Sequence, residues 1–180
     1  GASGYVGGRL LPLLEQQAVQ VRCLARTPGS LRARTAASTS IVSGDVLDPD
    51  SLEPALNGVH TAYYLVHLMS GSDDFEAEDR TAAGHFAAAA KRAGVQRIIY
   101  LGGLGAPEKV HSKHLVSRQE VGRCLSEAGV PVIEFRAAVI VGSGSLSFEL
   151  VRYLTERVPI LVCPRWVFTR VQPISTRNVL

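Results

Sequence analysis

The chain has 180 residues, 46% of them hydrophobic and 19% charged, with a formal net charge of +3. That is one domain's worth of chain, with enough apolar matter for a sizeable core, and it excludes a disordered tail. The arginines that outnumber the lysines are scattered, which argues against a nucleic-acid partner, and no apolar run approaches the ~18 residues of a membrane span. Cys23, Cys124 and Cys163 are odd in number and lack metal spacing. They read as reduced thiols of a cytoplasmic protein without a metal site.

The first motif is Gly1-Ala2-Ser3-Gly4-Tyr5-Val6-Gly7, a glycine at every third position, with a helical segment over 10–16 directly behind it. Glycines at this spacing let the backbone turn tightly and approach a pyrophosphate, and the N–H groups opening the next helix point at the anion. Such a cradle is entered from a buried strand, so an apolar central strand is expected upstream of Gly1. A strand follows at 19–25, with Val19, Val21, Cys23 and Ala25 alternating with other residues, and a short one at 41–42. Asp48 caps a short helix with Pro49 at its first position, and Asn57-Gly58 stops it. Residues 61–66 form an apolar strand suited to a buried parallel sheet. The pattern then predicts a helix over 75–93 closed by Gly94, with Ala82, Phe86, Ala89, Ala90 and Ala93 as a small-residue packing stripe.

A strand over 97–101, a helix over 115–128 stopped by Gly129, and a strand over 132–141 come next. Ser147 caps a last helix reaching Arg157, ahead of Pro159. Strands alternating with helices of this length make βαβ units, hence an α/β fold with a doubly wound parallel sheet. Two details fit this poorly: Pro12 lies inside the first helix, and Gln17-Ala18 offers no glycine where that helix should stop.

Candidate ligand residues gather where such a sheet collects them, at the carboxyl ends of its strands. Gly1, Ser3, Gly4, Tyr5, Val6 and Gly7 form the cradle. Arg26 follows the strand at 19–25, where an acid would bind the ribose 2′-OH of NAD and a base accommodates the 2′-phosphate of NADP. There is no acid here, and Arg32 and Arg34 follow, so NADP is favoured with NAD possible; otherwise Arg26 is a solvated loop arginine. Asp45 and Val46 suit the adenine amino group and ring, or Asp45 merely forms a turn. Leu65, Val66 and His67 end the strand at 61–66, and His67 is either a ligand-edge group or a loop histidine. Tyr63, Tyr64 and Tyr100 read as core, His60 and His111 as loop residues, and His85 as a helix-surface or packing histidine.

In this order, Gly-Ala-Ser-Gly-Tyr-Val-Gly-Gly, Cys-Leu-Ala-Arg, Gly-Asp-Val-Leu-Asp, Ala-Tyr-Tyr-Leu-Val-His and Ile-Ile-Tyr-Leu-Gly-Gly-Leu-Gly resemble the atypical short-chain dehydrogenase/reductases. The likeness covers essentially the whole chain and is nearest the NmrA-like and epimerase-like NAD(P)-binding proteins of bacteria. It implies a Rossmann domain over 1–158, whose first central strand is missing, and the start of a small substrate lobe over 159–180. Pro164-Arg165-Trp166 and Gln172-Pro173-Ile174 fit that lobe, and a further helix is expected to begin at Asn178. By the same likeness, the loop at 142–145 faces the nicotinamide end, and Gly102 or Gly103 stands where the superfamily has a serine.

The active members of that superfamily carry a Tyr-x-x-x-Lys pair, in which the Lys lowers the Tyr pKa and the Tyr protonates a carbonyl. No such pair occurs here. The likeness sets His114 at the Tyr position and Arg118 at the Lys position. His114 titrates near neutrality and could donate a proton, or it is a structural histidine at a helix start; Arg118 cannot carry a tunable proton. The resemblance implies an NAD(P)-dependent oxidoreductase of unknown small-molecule substrate. The missing pair also admits a non-catalytic NADP(H)-sensing or structural protein.

Overall fold

The structure, a computed structural model, describes residues 1–68, 74–105, 112–160, 162, 163 and 165–180. His111 and Pro164 lie outside the described residues. The chain divides into two compact units, Gly1–Arg136 and Ala137–Leu180. Each is taken by itself.

The first unit opens on α1 (Gly7–Glu15), which begins three residues earlier than the apolar pattern suggested and runs through Pro12. Strand β1 (Arg22–Ala25) is shorter than expected, leaving Val19 57% exposed outside it. A short helix α2 (Gly29–Arg32), which the pattern did not reveal, leads to β2 (Ser40–Ser43). Helix α3 (Pro49–Leu56) starts as expected, with the Asp48 carboxylate accepting the Asp50 N–H at 3.2 Å. Strand β3 (Thr61–Tyr64) leads to α4 (Phe75–Arg92), β4 (Arg97–Gly103), α5 (Lys113–Glu127) and β5 (Val132–Ala137). Gly94 and Gly129 adopt φ of +71° and +83° just past α4 and α5, the left-handed turn that ends a helix and that side-chain-bearing residues avoid.

Strands β1 and β2 pair in parallel, with Cys23 opposite Ile41. Strand β3 pairs in parallel with β4, with Ala62 opposite Ile98, and β5 lies on the far side of β4. The unit is therefore an α/β fold with parallel strands. Its core joins Leu52 of α3, Tyr64 of β3, Ala82, Ala83, Phe86 and Ala90 of α4, Ile98 and Tyr100 of β4, and Leu125 of α5. The alanines of α4 let α3 and α5 pack closely on it, and Tyr64 meets Phe86 edge-on at 4.9 Å. Tyr64 and Tyr100 are core as expected, but Tyr63 is not: strand alternation turns it to the opposite face of β3, where it is 38% exposed.

The sheet does not continue from β1 to β3. A cavity of about 660 Å³ lies there instead, lined by Cys23 and Leu24 of β1, Ala62 and Tyr63 of β3, Leu11 of α1 and Phe86 of α4, among others. Two parallel strands thus present facing edges to an apolar slot.

In the second unit β6 (Val139–Val141) pairs in parallel with β7 (Pro173–Ser175), with Ile140 opposite Ile174. The apolar run expected as one strand over 132–141 is split at Ala138, because its two halves join different sheets. Helix α6 (Leu146–Arg157) is entered from Ser145, not Ser147. Gly144 turns the chain at φ +77° and gives its N–H to Glu149, so the helix opens two residues sooner than expected. The Ser145 hydroxyl donates to the Ile140 carbonyl. A short α7 (Thr176–Val179) starts at Ser175, whose hydroxyl accepts the Asn178 N–H, earlier than the expected start at Asn178. Among the described residues no helix is long and apolar enough to cross a membrane.

The slot between β1 and β3 generates a prediction. Fusing an apolar β-strand segment ahead of Gly1 should fill it, pair both edges and raise the thermal midpoint of unfolding by several degrees, since ~1 kcal/mol shifts a domain of this size by about 2–4 °C. Differential scanning calorimetry of the chain with and without the segment measures this. An unchanged midpoint would show that the slot does not accept a strand.

Candidate functional site

The glycine loop folds back on itself before α1. The Gly4 N–H donates to the Gly1 carbonyl at 3.0 Å, and the Gly8 N–H donates to the Gly4 carbonyl at 2.8 Å. A Cβ on Gly7 would overlap the Gly1 carbonyl, and one on Gly1 would overlap the backbone of Leu65. These two glycines are demanded by the chain's own packing. Gly4 differs, because a Cβ there would meet only the Gly1 carbonyl, at 3.2 Å. The loop at Gly4 is open, and close approach from outside is what a side chain would block.

Val6 is the residue that caps α1, Ser3 is exposed on the loop, and no acidic side chain occupies the first turn of the helix. The positive end of α1 is therefore uncompensated by any carboxylate of its own. Arg9 lies over the Tyr5 ring at 3.8 Å and donates to the Tyr5 carbonyl, which holds that ring against the helix.

Arg26 stands exposed just after β1 and forms no ion pair among the described residues. The Arg34 guanidinium lies over Gly8, 2.7 Å from where a Cβ would stand, and so reaches the first turn of α1. Asp45 takes the turn-forming role, its carboxylate accepting the Leu47 N–H at 3.0 Å while its own N–H donates to the Ser51 hydroxyl. Val46 is 7% exposed and belongs to the core, with Val66 packed against the same cluster. Gly102 lies under the Glu134 carboxylate, whose other oxygen pairs with Arg136.

His67, in the loop after β3, and His114, in the first turn of α5, come together. His67 Nε2 and His114 Nδ1 are 3.1 Å apart, with the ring centroids at 4.5 Å. On its other side, His67 Nδ1 lies 2.9 Å from Asp79 Oδ2. Asp79 is 1% exposed, yet every side of its carboxylate is met: the Leu68 N–H donates to Oδ1 and the Ser117 hydroxyl to Oδ2, each at 2.9 Å. Burial pushes the Asp79 carboxyl up, but the donors from His67, Leu68 and Ser117 outweigh it and hold the group below the usual carboxylate range.

The His114 imidazole is pulled below its ordinary value, first by burial and then by His67 and Arg118, with Asp79 opposing. Arg118 itself is turned onto β4, where its guanidinium donates to the Leu101 carbonyl. It stands 5.5 Å from the Tyr100 ring, and the Tyr100 hydroxyl donates to the Arg118 carbonyl at 2.7 Å. Burial pushes Tyr100 up to about 12, and burial together with Asp79 raises Tyr64 further. Neither phenol is an acid at neutral pH.

Asp79 and Ser117 are the members that the sequence pattern missed. A signal was present: Asp79 falls on the stripe continued by Ala82, Ala83 and Phe86, so a carboxylate sits on the buried face of α4. Ser117 likewise shares the buried face of α5 with Val121 and Leu125. A polar group on such a stripe needs a partner.

Residues 1–134 match the NAD(P)H-binding family, and the chain belongs to that family. It is 27% identical over 127 residues to the NAD(P)H azoreductase of Xenophilus azovorans, which covers 71% of this chain and 40% of that protein. It is 28% identical over 122 residues to sterol demethylase protein B of Methylococcus capsulatus, covering 63% of this chain and 37% of the relative. The chain thus spans well under half the length of these curated relatives. Among solved structures, the Citrobacter triphenylmethane reductase in complex with NADP(H) superposes with a TM-score of 0.67 at 20% identity, over 78% of this chain and 48% of that one. A Rossmann-fold NAD(P)-binding family protein from Shigella flexneri gives 0.69 at 19% identity, over 99% and 79%. A Bordetella bronchiseptica enzyme in complex with NAD gives 0.66 at 20%, over 79% and 52%.

The depressed Asp79 titration makes a stability prediction. A carboxyl lower in the folded than in the unfolded chain stabilises fully above its unfolded value of about 3.9, and that contribution is lost as pH falls through the folded value. Urea midpoints should therefore drop on acidification below about pH 4. Asp79→Asn should be less stable at pH 7 and show a shallower acid slope. An unchanged slope in that variant would remove Asp79 from the acid response.

Proposed function

We propose that this member of the NAD(P)H-binding family is an oxidoreductase that reduces a small acceptor with a nicotinamide dinucleotide, NADP preferred over NAD. The observation that carries the reading is the cradle. Gly1 and Gly7 are locked by backbone contact, while Gly4 leaves an opening that a Cβ would fill, at the uncompensated positive end of α1. A pyrophosphate fits that opening on the grounds of charge and close approach. Gly1 packs on Leu65, two residues before His67, so the cradle is continuous with the loop that carries His67, whose ring meets His114 of α5. When bound, the dinucleotide supplies a hydride.

The chain's own residues would do the rest. Ser3 and the N–H groups around Tyr5 and Val6 line the phosphate end, and Leu65 and Val66 form an apolar wall beyond it. Arg26, exposed and without an ion pair among the described residues, is suited to the 2′-phosphate, and Arg34 over Gly8 adds a second cation at the first turn of α1. The similarity to an azoreductase and to a triphenylmethane reductase suggests acceptors with conjugated N=N or C=N/C=C systems, and carbonyls belong to the same chemistry. The rival reading, a sensor that binds the dinucleotide without turnover, draws on one observation. Arg118 is engaged by the Leu101 carbonyl, in a chain with no Tyr-x-x-x-Lys pair.

The test combines titration with turnover. Gly4→Val should abolish NADPH binding while leaving the circular dichroism spectrum unchanged. Arg26→Asp should weaken NADPH by ~1.5–3 kcal/mol, the scale of a charge-assisted hydrogen bond, and NADH far less. Equal losses for both dinucleotides would remove the 2′-phosphate from Arg26. NADPH oxidation across carbonyl, azo and quinone acceptors separates the enzyme from the sensor: binding without turnover on any acceptor would favour the sensor.

A further inference from the structure

The hydrogen bonds around Asp79 fix which imidazole nitrogens carry protons. The Asp79 carboxylate is held ionised and can only accept, so the nearby Nδ1 of His67 must carry a hydrogen. In a neutral His67 that leaves Nε2 with a lone pair. The atom facing it, His114 Nδ1 at 3.1 Å, must then be the donor. His114 Nε2 is left as the one ring nitrogen of the pair not used inside the cluster, on a residue that remains exposed while Asp79 is buried.

We propose that Asp79, His67 and His114 form a proton relay, in which the buried carboxylate orients His67, His67 holds His114, and His114 Nε2 protonates the heteroatom of the acceptor. This rests on the oxidoreductase reading given above. Without an extra proton, Nε2 of His114 carries a lone pair and is a base. With one extra proton shared by the two rings, Nε2 carries a hydrogen wherever the charge resides: a charged His67 donates to His114 Nδ1, and a charged His114 donates to His67 Nε2. The singly protonated pair is therefore always an acid at Nε2.

The balance closes. Two electrons and one hydrogen reach the acceptor carbon or nitrogen as the hydride of the reduced nicotinamide, and the π bond breaks toward the heteroatom. The N–H bond at His114 Nε2 breaks, the new O–H or N–H bond forms, and the ring keeps its electron pair at Nε2. His114 is left neutral with Nδ1–H still bonded to His67, and one proton from solvent restores the pair. Asp79 is a positioning residue here and never takes the proton. A second extra proton would put two donors face to face at 3.1 Å and break the pair.

The charged and titratable groups facing the pair are Asp79 from α4 and Arg118 from α5. The phenols of Tyr64 on β3 and Tyr100 on β4 interact with Asp79 behind them and stay protonated. Burial, His67 and Arg118 draw His114 below the ordinary imidazole value of about 6.5, so the acid form gains as pH falls through and below neutrality. Turnover should rise in the same direction. Asp79 opposes that shift, so its neutral replacement should move the limb to still lower pH.

The experiment has one arm that needs no turnover. Nitrogen-15 spectra of the imidazoles at pH 8 should show Nδ1–H tautomers for both His67 and His114, and the two rings should titrate as a coupled pair. An Nε2–H tautomer at His114, or independent titration, overturns the relay. In the kinetic arm, His114→Gln should lower kcat by about 10²–10⁴-fold, the contribution of a positioned acid, with NADPH affinity unchanged. Asp79→Asn should shift the pH limb of kcat downward, which loss of packing alone would not do. If that variant fails to fold, His67→Gln carries the same test, with imidazole added to His114→Ala as rescue. An active wild type whose His114→Gln variant keeps its rate overturns the relay and leaves the oxidoreductase standing. A wild type inactive on every acceptor overturns the oxidoreductase instead, and the spectra then decide the proton coupling by themselves.

Discussion

One buried carboxylate ties together α4, α5 and the residues that follow β3. Asp79 is enclosed by α4, α5 and the loop after β3, and an ionised group in that position is tolerable only if its lone pairs are answered. Three donors answer it: a backbone N–H from Leu68, a hydroxyl from Ser117 and an imidazole from His67. Each comes from the segment just after β3 or from α5, so satisfying the charge also fixes where His67 and Leu68 sit and how α5 approaches α4. The position of His114 follows, because it shares a helix face with Ser117 and is met by His67. Removing one of these donors leaves the buried charge short of a partner, at a typical cost of about 1–3 kcal/mol.

Much of the fold was legible because its signals are local. Helix α3 was announced by Asp48-Pro49, α4 by a glycine after an alanine-rich stripe, and the alternation of strands and helices by apolar runs of the right lengths. The errors are also physical. Val19 alternates like a strand residue but lies before β1, since a partner strand and not periodicity decides where pairing begins. Residues 132–141 read as one strand, although the two halves answer to different partners. Tyr63 looked like core because its neighbour is; a period of two turned it outward.

The candidate site was legible in its glycines and in two of its histidine-cluster members, and illegible in the contact between them. Gly1, Gly4 and Gly7 are given by spacing, but only the packing separates Gly4, open to the outside, from the two glycines that the chain needs for itself. His67 and His114 were each singled out for separate reasons, 47 positions apart, and nothing in either neighbourhood points to the other. Asp79 is harder to read from sequence, since α4 also carries Glu76 and Glu78 in its first turn. The face on which each falls, not the residue type, distinguishes them. Arg34 follows Arg26 in the sequence, but only the packing shows that its guanidinium lies over Gly8.

The missing Tyr-x-x-x-Lys pair and the Asp79 cluster are two sides of one electrostatic argument. A phenol is too weak an acid near neutrality, and a neighbouring cation helps it by lowering its pKa. An imidazole has the opposite problem: it already titrates near neutrality, and a nearby cation makes its acid form scarcer. Arg118 is such a cation, and it does lower His114. A site that uses His114 as its acid therefore needs an anion behind it, and needs the basic side chain turned elsewhere. Asp79 opposes the downward pull on His114 from the buried side, and the Arg118 guanidinium, though it still lowers the imidazole, is held by the Leu101 carbonyl. Were His114 to serve as the acid, the carboxylate on α4 would be the partner that an imidazole in place of a phenol requires.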